Sequence, residues 1–238
     1  MRIRLPVGHR LLLAAATVAM LVLLLPARLA LGLVGMDRVG LSARAAEGSI
    51  WRGRLVEARL AGVPLGDLRI GLSPWPLFVG RARLDLARDG DLDPAAGAIS
   101  VSRHALGIDD VTALVPLAGR LAPLPIAALD LADVSARFED GVCIAAEGRV
   151  TARLAGDVAG LSLPGGLTGE ARCDNGALLL PLASQTGMET LALRLLPGGR
   201  YRVDLAVRGN DPAVRDRLLA AGFAPGAGGY ALGVDGTW

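Results

Sequence analysis

A chain of 238 residues, 52% hydrophobic and 20% charged, is long and apolar enough for one or two domains with a real core, which argues against intrinsic disorder. Aromatic residues make up only 3%, too few for a platform that stacks single-stranded nucleic acid. The 25 basic residues are all Arg; three lie in the first ten positions, leaving 22 against 23 acidic residues and no surplus of positive charge for phosphates.

Arg2, Arg4, His9 and Arg10 precede Leu11 to Ala27, an uncharged run of seventeen residues rich in Leu and Ala. At about 1.5 Å per residue a helix of this length spans roughly 25 Å, the short end of a membrane crossing, and Arg10 and Arg28 can snorkel to the two interfaces. Beyond Arg28 the chain stays apolar to Met36, which leaves room for a longer or tilted insertion. A cleaved signal peptide has the same layout, but Pro26-Ala27-Arg28 is a poor cleavage context and Ala30-Leu31-Gly32 a weak one. An uncleaved anchor is therefore expected, with the Arg cluster retained in the cytoplasm. The expected organisation is a basic cytoplasmic segment (1–10), a membrane anchor (11–27, extendable to 36) and a body outside the cytoplasm (37–238).

From there the chain alternates apolar and polar residues. Asp67–Leu72, Arg81–Leu86, Asp133–Phe138, Arg149–Leu154, Leu167–Cys173, Thr190–Leu195, Arg200–Arg208 and Tyr230–Val234 each read as a strand with one buried and one wet face. Ala61-Gly62, Asp89-Gly90, Asp140-Gly141, Pro164-Gly165-Gly166, Asn175-Gly176 and Pro197-Gly198-Gly199 are the turns between them. Such short connections imply antiparallel neighbours. A short turn is expected after Asp109-Asp110, stopped by Pro116. One helix is expected late in the chain: Asp211 caps it, Pro212 takes its first position, Val214, Leu218 and Leu219 form its apolar face, and Gly222 ends it. The fold class is mainly β, a large, curved, mostly antiparallel sheet with one short helix near the C-terminus, following a single N-terminal membrane helix. An outer-membrane barrel does not fit, because Arg and Asp crowd the polar faces and aromatic girdles are missing.

Cys143 and Cys173 lie thirty positions apart near expected strands. With only two His in the chain, one of them in the basic N-terminal segment, a four-ligand zinc site is out of reach. An even pair in an oxidising compartment is most simply a disulfide; two buried free thiols are the alternative. His104 is the one histidine of the body, and Ser102-Arg103-His104 has no nucleophile pattern around it. Gly226, Gly228 and Gly229 imitate a phosphate loop, yet Tyr230-Ala231-Leu232 continues as strand and no capped helix follows. No catalytic residue, metal ligand or cofactor site is expected, and a periplasmic hydrolase would need a nucleophile and base that the chain does not offer.

Short clusters of Gly, Pro and Trp stand out instead. Gly48-Ser49-Ile50-Trp51-Arg52-Gly53 opens the first strand, Pro64-Leu65-Gly66 links the next two, and Leu72-Ser73-Pro74-Trp75-Pro76-Leu77 breaks into a turn before Gly80. Trp51 and Trp75 are expected to pack as amphipathic plates over a sheet end. Gly48, Ser49, Ile50, Trp51 and Gly53, then Pro64 and Gly66, then Leu72, Ser73, Pro74 and Trp75, following a single anchor, resemble the N-terminal signature of the type II secretion system protein N family. Gly107 to Pro125 and Gly199-Arg200-Tyr201 also look like segments of that family. The resemblance implies an inner-membrane accessory subunit of the machine that exports folded proteins from the periplasm, with other secretion subunits as partners and no catalytic residues. The other reading is an envelope protein similar to the AsmA-like family, which shields or transfers lipid in an apolar groove of a curved sheet. Exposed apolar residues along the inner face of the curl would favour the lipid reading, and a filled inner face the scaffold.

Overall fold

The computed structural model describes residues 24–34, 40–60, 62–88, 95–117, 126–156, 165–209, 212–226 and 228–237, together with 13, 16, 17, 20, 121 and 124. The basic segment with Arg2, Arg4, His9 and Arg10, most of the 11–27 run, Asp89-Gly90, Pro164 and Asp211 lie outside the described residues. The strands are β1 (Leu41–Ser42), β2 (Ala45–Ser49), β3 (Arg52–Leu60), β4 (Val63–Ser73), β5 (Ala82–Arg88), β6 (Ala95–Val101), β7 (Ala105–Pro116) and β8 (Ile126–Glu139). They continue as β9 (Val142–Leu154), β10 (Leu167–Glu170), β11 (Arg172–Asp174), β12 (Ala177–Ala183), β13 (Glu189–Leu196), β14 (Arg200–Arg208), β15 (Ala224–Gly226) and β16 (Gly229–Thr237). The described residues also form three short helices, α1 (Ala27–Val34), α2 (Pro74–Leu77) and α3 (Pro212–Ala220). No helix among the described residues is long and apolar enough to cross a membrane.

The sixteen strands of the described residues belong to one antiparallel sheet that follows chain order as a meander from β3 to β10, then β12, β13, β14, β16 and β15. β1 and β2 flank β3 on its outer side, and β11 extends the line of β10 along β12. Because register is kept over most of the sheet, apolar side chains face one another strand after strand. Leu84 is opposite Ile99, Ile99 opposite Ile108, Ile108 opposite Ala136 and Ala136 opposite Ala146. Leu180, Leu193, Val203 and Val234 continue this face in the later strands. The other face carries rows such as Asp85–Ala98–Asp109 and Arg194–Arg202–Asp235. One side of the sheet is a core and the other is wet.

Leu117, Leu121, Leu124, Leu218 and Phe223 add cover from outside the strands, and the sheet also curls its apolar face onto itself. β4 and β12 are seven steps apart in strand order, roughly 34 Å if the sheet were flat. Leu65 of β4 and Leu180 of β12 nevertheless line one cavity, so the sheet rolls its apolar face inward. Bulges help it bend. Register shifts fall between Leu55 and Ala58, between Ile108 and Val111, and between Ala132 and Ser135, around Glu57, Asp110 and Asp133, all at positive φ. Each bulge frees a backbone donor, and each donor is met by a side chain of a neighbouring strand. The Glu57 N–H donates to Asp67 Oδ1 (3.0 Å), Asp110 N–H to Ser135 Oγ (3.0 Å) and Asp133 N–H to Thr112 Oγ1 (3.1 Å). Gly148, at φ +104°, lies against the Asp133 carbonyl and Val134 Cα where a Cβ would collide. The turn expected after Asp109-Asp110 is thus a bulge inside β7, which Pro116 does end.

The other turns form largely as their residues demand. Asp140-Gly141 and Asn175-Gly176 both have positive φ at the two central positions, the geometry of a tight hairpin whose twist matches its strands. α3 starts at Pro212, buries Leu218 in the core and closes with the Phe223 N–H on the Leu218 carbonyl (3.0 Å), beside Gly222. Two expectations are corrected. Pro64, Leu65 and Gly66 lie inside β4, because the reversal comes earlier, at Gly62 with Leu60 opposite Val63. The helix near the C-terminus is joined by α1 and α2, both short.

Candidate functional site

Two of the three family-like clusters, Gly48–Gly53 and Leu72–Trp75, meet at one end of the sheet, whereas Pro64 and Gly66 lie at the opposite end of β4, facing Arg59 and Ala58. Gly48 faces Gly53 across the β2–β3 pair, and the Arg52 N–H donates to Ser49 Oγ (3.3 Å). A Cβ on Gly53 would stand 2.8 Å from the carbonyl oxygens of both Glu47 and Ser49, so only Gly lets this turn close. The turn presents Ile50, 1% exposed, to the core with Ala27, Leu41, Leu55 and Leu68 around it. On one side the Ile50 N–H donates to the Leu25 carbonyl (3.1 Å), and Pro26 forms an isolated antiparallel bridge with Ser49. On the other side the Leu72 N–H donates to the Ile50 carbonyl (2.9 Å). The Ser49–Arg52 turn therefore clamps the last residues of the apolar N-terminal run, Leu25 and Pro26, against the end of β4.

Ser73 donates its hydroxyl to Asp85 Oδ2 (2.7 Å), entering a polar network on the wet face. Arg83 bridges Asp85 and Asp109 at 3.0 Å each, and Ser100 donates to Asp109. Pro74 opens α2. Trp51 is half-buried, but Trp75 is 80% exposed, which corrects the expectation that it packs over the sheet end. Pro74 and Pro76 fit the first turn of α2, and that turn buries none of its residues.

The wet face elsewhere is charge paired with charge. Arg137–Glu139 (2.8 Å), Arg194–Asp174 (2.9 Å) and Arg153–Asp130 are the clearest pairs. Arg202 lies between Asp204 and Asp235; its hydrogen bond with Asp204, then the charges of Asp204 and Asp235, hold its guanidinium above its already high ordinary value. Such exposed pairs add little stability. His104 is 72% exposed beside Asp140 (3.4 Å). Among the described residues no three His, Cys, Asp or Glu side chains gather into a metal site.

Cys143 and Cys173 are joined as a disulfide with Cα atoms 5.5 Å apart. β9 pairs with β10 only as far as Arg149–Glu170, and the chains then part. The Ala171 N–H still reaches the Gly148 carbonyl (2.9 Å), and the Cys143 N–H the Gly176 carbonyl (2.8 Å). The disulfide spans the interval between those two bonds and staples β9 to β11.

The inner face holds a cavity of about 320 Å³. Leu60, Leu65, Val115, Leu131, Leu180 and Leu193 are among its walls, with no polar lining. A second cavity of about 150 Å³ shares Leu60, Leu65, Ile108, Val115 and Leu131 with it. The walls of the larger cavity offer ordered water no polar partner, a chemistry that suits hydrocarbon. The alternation of Leu and Val in these strands announces a buried face, but nothing in that pattern says that the face stops short of filling the curl.

The family described as type II secretion system (T2SS), protein N, matches residues 39–233, which run from just before β1 into β16. The "Type II secretion system protein N" of Vibrio cholerae serotype O1 (strain ATCC 39315 / El Tor Inaba N16961) is 27% identical over 211 residues, 82% of this chain and 83% of that protein. No solved structure matches. Since the match takes in the curled sheet nearly from edge to edge, the chain belongs to the type II secretion system protein N family.

Proposed function

We propose that this chain is an accessory subunit of the type II secretion machinery, tethered to the inner membrane by residues 11–27, with its sheet in the periplasm and no reaction of its own to catalyse. The observation that carries the reading is the family match over 39–233, which coincides with the folded body. The charged wet face supports a scaffold role, since its Arg and carboxylate groups are engaged with one another. A disulfide between Cys143 and Cys173 suits an oxidising compartment. Deleting the gene should leave at least one folded exoprotein in the periplasm, and the wild-type gene should restore its release. Normal release of every exoprotein in the deletion strain overturns the reading.

The apolar lumen favours a second reading, in which the curl shields an acyl chain. Protein purified from membranes in mild detergent would then yield lipid on organic extraction, in amounts that follow the protein. In the deletion strain, altered outer-membrane lipid asymmetry with unimpaired secretion would make this the better account.

A further inference from the structure

Every large apolar side chain more than half exposed among the described residues belongs to one of two groups. The first is the N-terminal stretch, with Leu13, Met20, Leu24 and Leu29 between 56% and 64% exposed. The second is the connection from β4 to β5, where Trp75 is 80%, Phe78 82% and Val79 79% exposed. An apolar tip of this kind on an otherwise charged surface marks a contact.

Backbone directions put Leu24 and the chain before it at the same end of the sheet as the tip. β2 and β4 run in the same sense, because each is antiparallel to β3. The bridge of Pro26 to Ser49 is antiparallel, and Leu25 pairs with Ile50, one residue further toward the end to which β2 runs. The chain before Pro26 therefore arrives from beyond that end. β4 runs to that same end, where Leu72 bonds to Ile50, and three residues later the chain reaches Trp75. Leu25, Ile50 and Leu72 are successive backbone neighbours, so the tip and the incoming chain are separated by only about two strand spacings, roughly 10 Å.

We propose that the Trp75–Val79 tip inserts into the periplasmic-side interface of the same bilayer that holds the anchor, giving the sheet a second point of membrane contact. The proposal rests on the anchored reading above. Trp75 and Phe78 have ring centroids 6.0 Å apart, a preformed aromatic plate of the type that settles at headgroup depth. Exposed Arg52 and Arg81 flank it, neither 49–55 nor 74–82 contains an acidic residue, and Asp85, bonded to Ser73 at the base of the tip, is paired with Arg83, so lipid phosphates meet cations at the tip. Two contacts fix the tilt of the sheet on the membrane, where a single helix would let it swing.

The test uses the full chain in vesicles of phosphatidylethanolamine and phosphatidylglycerol. Phe78→Cys carries an environment-sensitive fluorophore, and Gln185→Cys, in the exposed turn at the opposite end of β12, carries the same label as reference. Thermal melting of both variants checks that the fold is kept. The expected result is a blue-shifted label at position 78, protected from aqueous iodide and quenched by lipid bearing a nitroxide near the headgroup, with the reverse behaviour at 185. If position 78 is as open to iodide as 185 while the protein resists alkaline extraction, the tip proposal fails and the anchor stands. Alkaline release of the protein together with a wet position 78 overturns both. Protection from iodide without quenching by nitroxide lipid means that protein covers the tip, and it overturns the proposal as well.

Discussion

Ile50 and Trp75 belong to neighbouring clusters of one end of the sheet, yet their surroundings assign them opposite roles. Ile50 is enclosed by Ala27, Leu55 and Leu68, so Ile50→Ala removes buried hydrocarbon and leaves a void. A loss of about 2–4 kcal/mol is expected in denaturant unfolding. Trp75→Ala removes a ring that touches solvent over most of its area, and unfolding free energy should stay within about 0.5 kcal/mol of wild type. A large loss for Trp75→Ala would show that the ring packs on the body after all. Gly148→Ala forces a Cβ into the Asp133 carbonyl at a strained φ, and about 3 kcal/mol of destabilisation is the expectation. The Gly-Ser-Ile-Trp-x-Gly cluster is legible as a tight hairpin because Gly48 and Gly53 are needed for it; that Ile50, rather than Trp51, is the buried member depends on what packs above the turn.

At the scale of elements, the staple from β9 to β11 replaces ladder bonds that the diverging strands cannot form. Its loop of thirty residues restricts the unfolded chain by about 3–4 kcal/mol in the loop-entropy estimate. The double variant Cys143→Ser/Cys173→Ser should lose stability of that order, with the β10–β12 region first to open in hydrogen exchange. Alkylation of periplasmic protein without reductant should label neither cysteine; labelling of both would place the chain outside an oxidising compartment or the pairing in error. Hairpins and α3 were readable because Asn-Gly, Asp-Gly and Pro at a first helical turn impose local geometry. The bulge at Asp110 was not, since two adjacent Asp residues read as a turn until Ser135 of the next strand supplies the partner for the freed N–H.

For the whole molecule, the lumen is the property to test. Leu131 lines both cavities, and Leu131→Trp places an indole where they meet. If an acyl chain occupies the curl, extractable lipid should fall in this variant while the melting temperature holds. A raised melting temperature with no lipid in either protein would identify the lumen as a dry void. A phosphatase fused after Trp238 should be active in the periplasm, and activity of a cytoplasmic reporter alone would contradict the proposed topology.

Alternation, turn residues and charge were enough to establish a mainly antiparallel sheet with one apolar face, because these depend on neighbours a few residues apart. The cluster of Gly48 to Gly53 with Leu72 to Trp75 was enough to suggest the family. How far the sheet curls, where Leu65 comes to face Leu180, and the void left between them were decided only in three dimensions. Those features arise from bulges and from sums of small twists over many strands, and no single segment encodes them. The exposure of Trp75 belongs with them: an apolar run between prolines carries neither a helical nor a strand period, so whether it is core or tip depends on which way the chain turns at the end of β4.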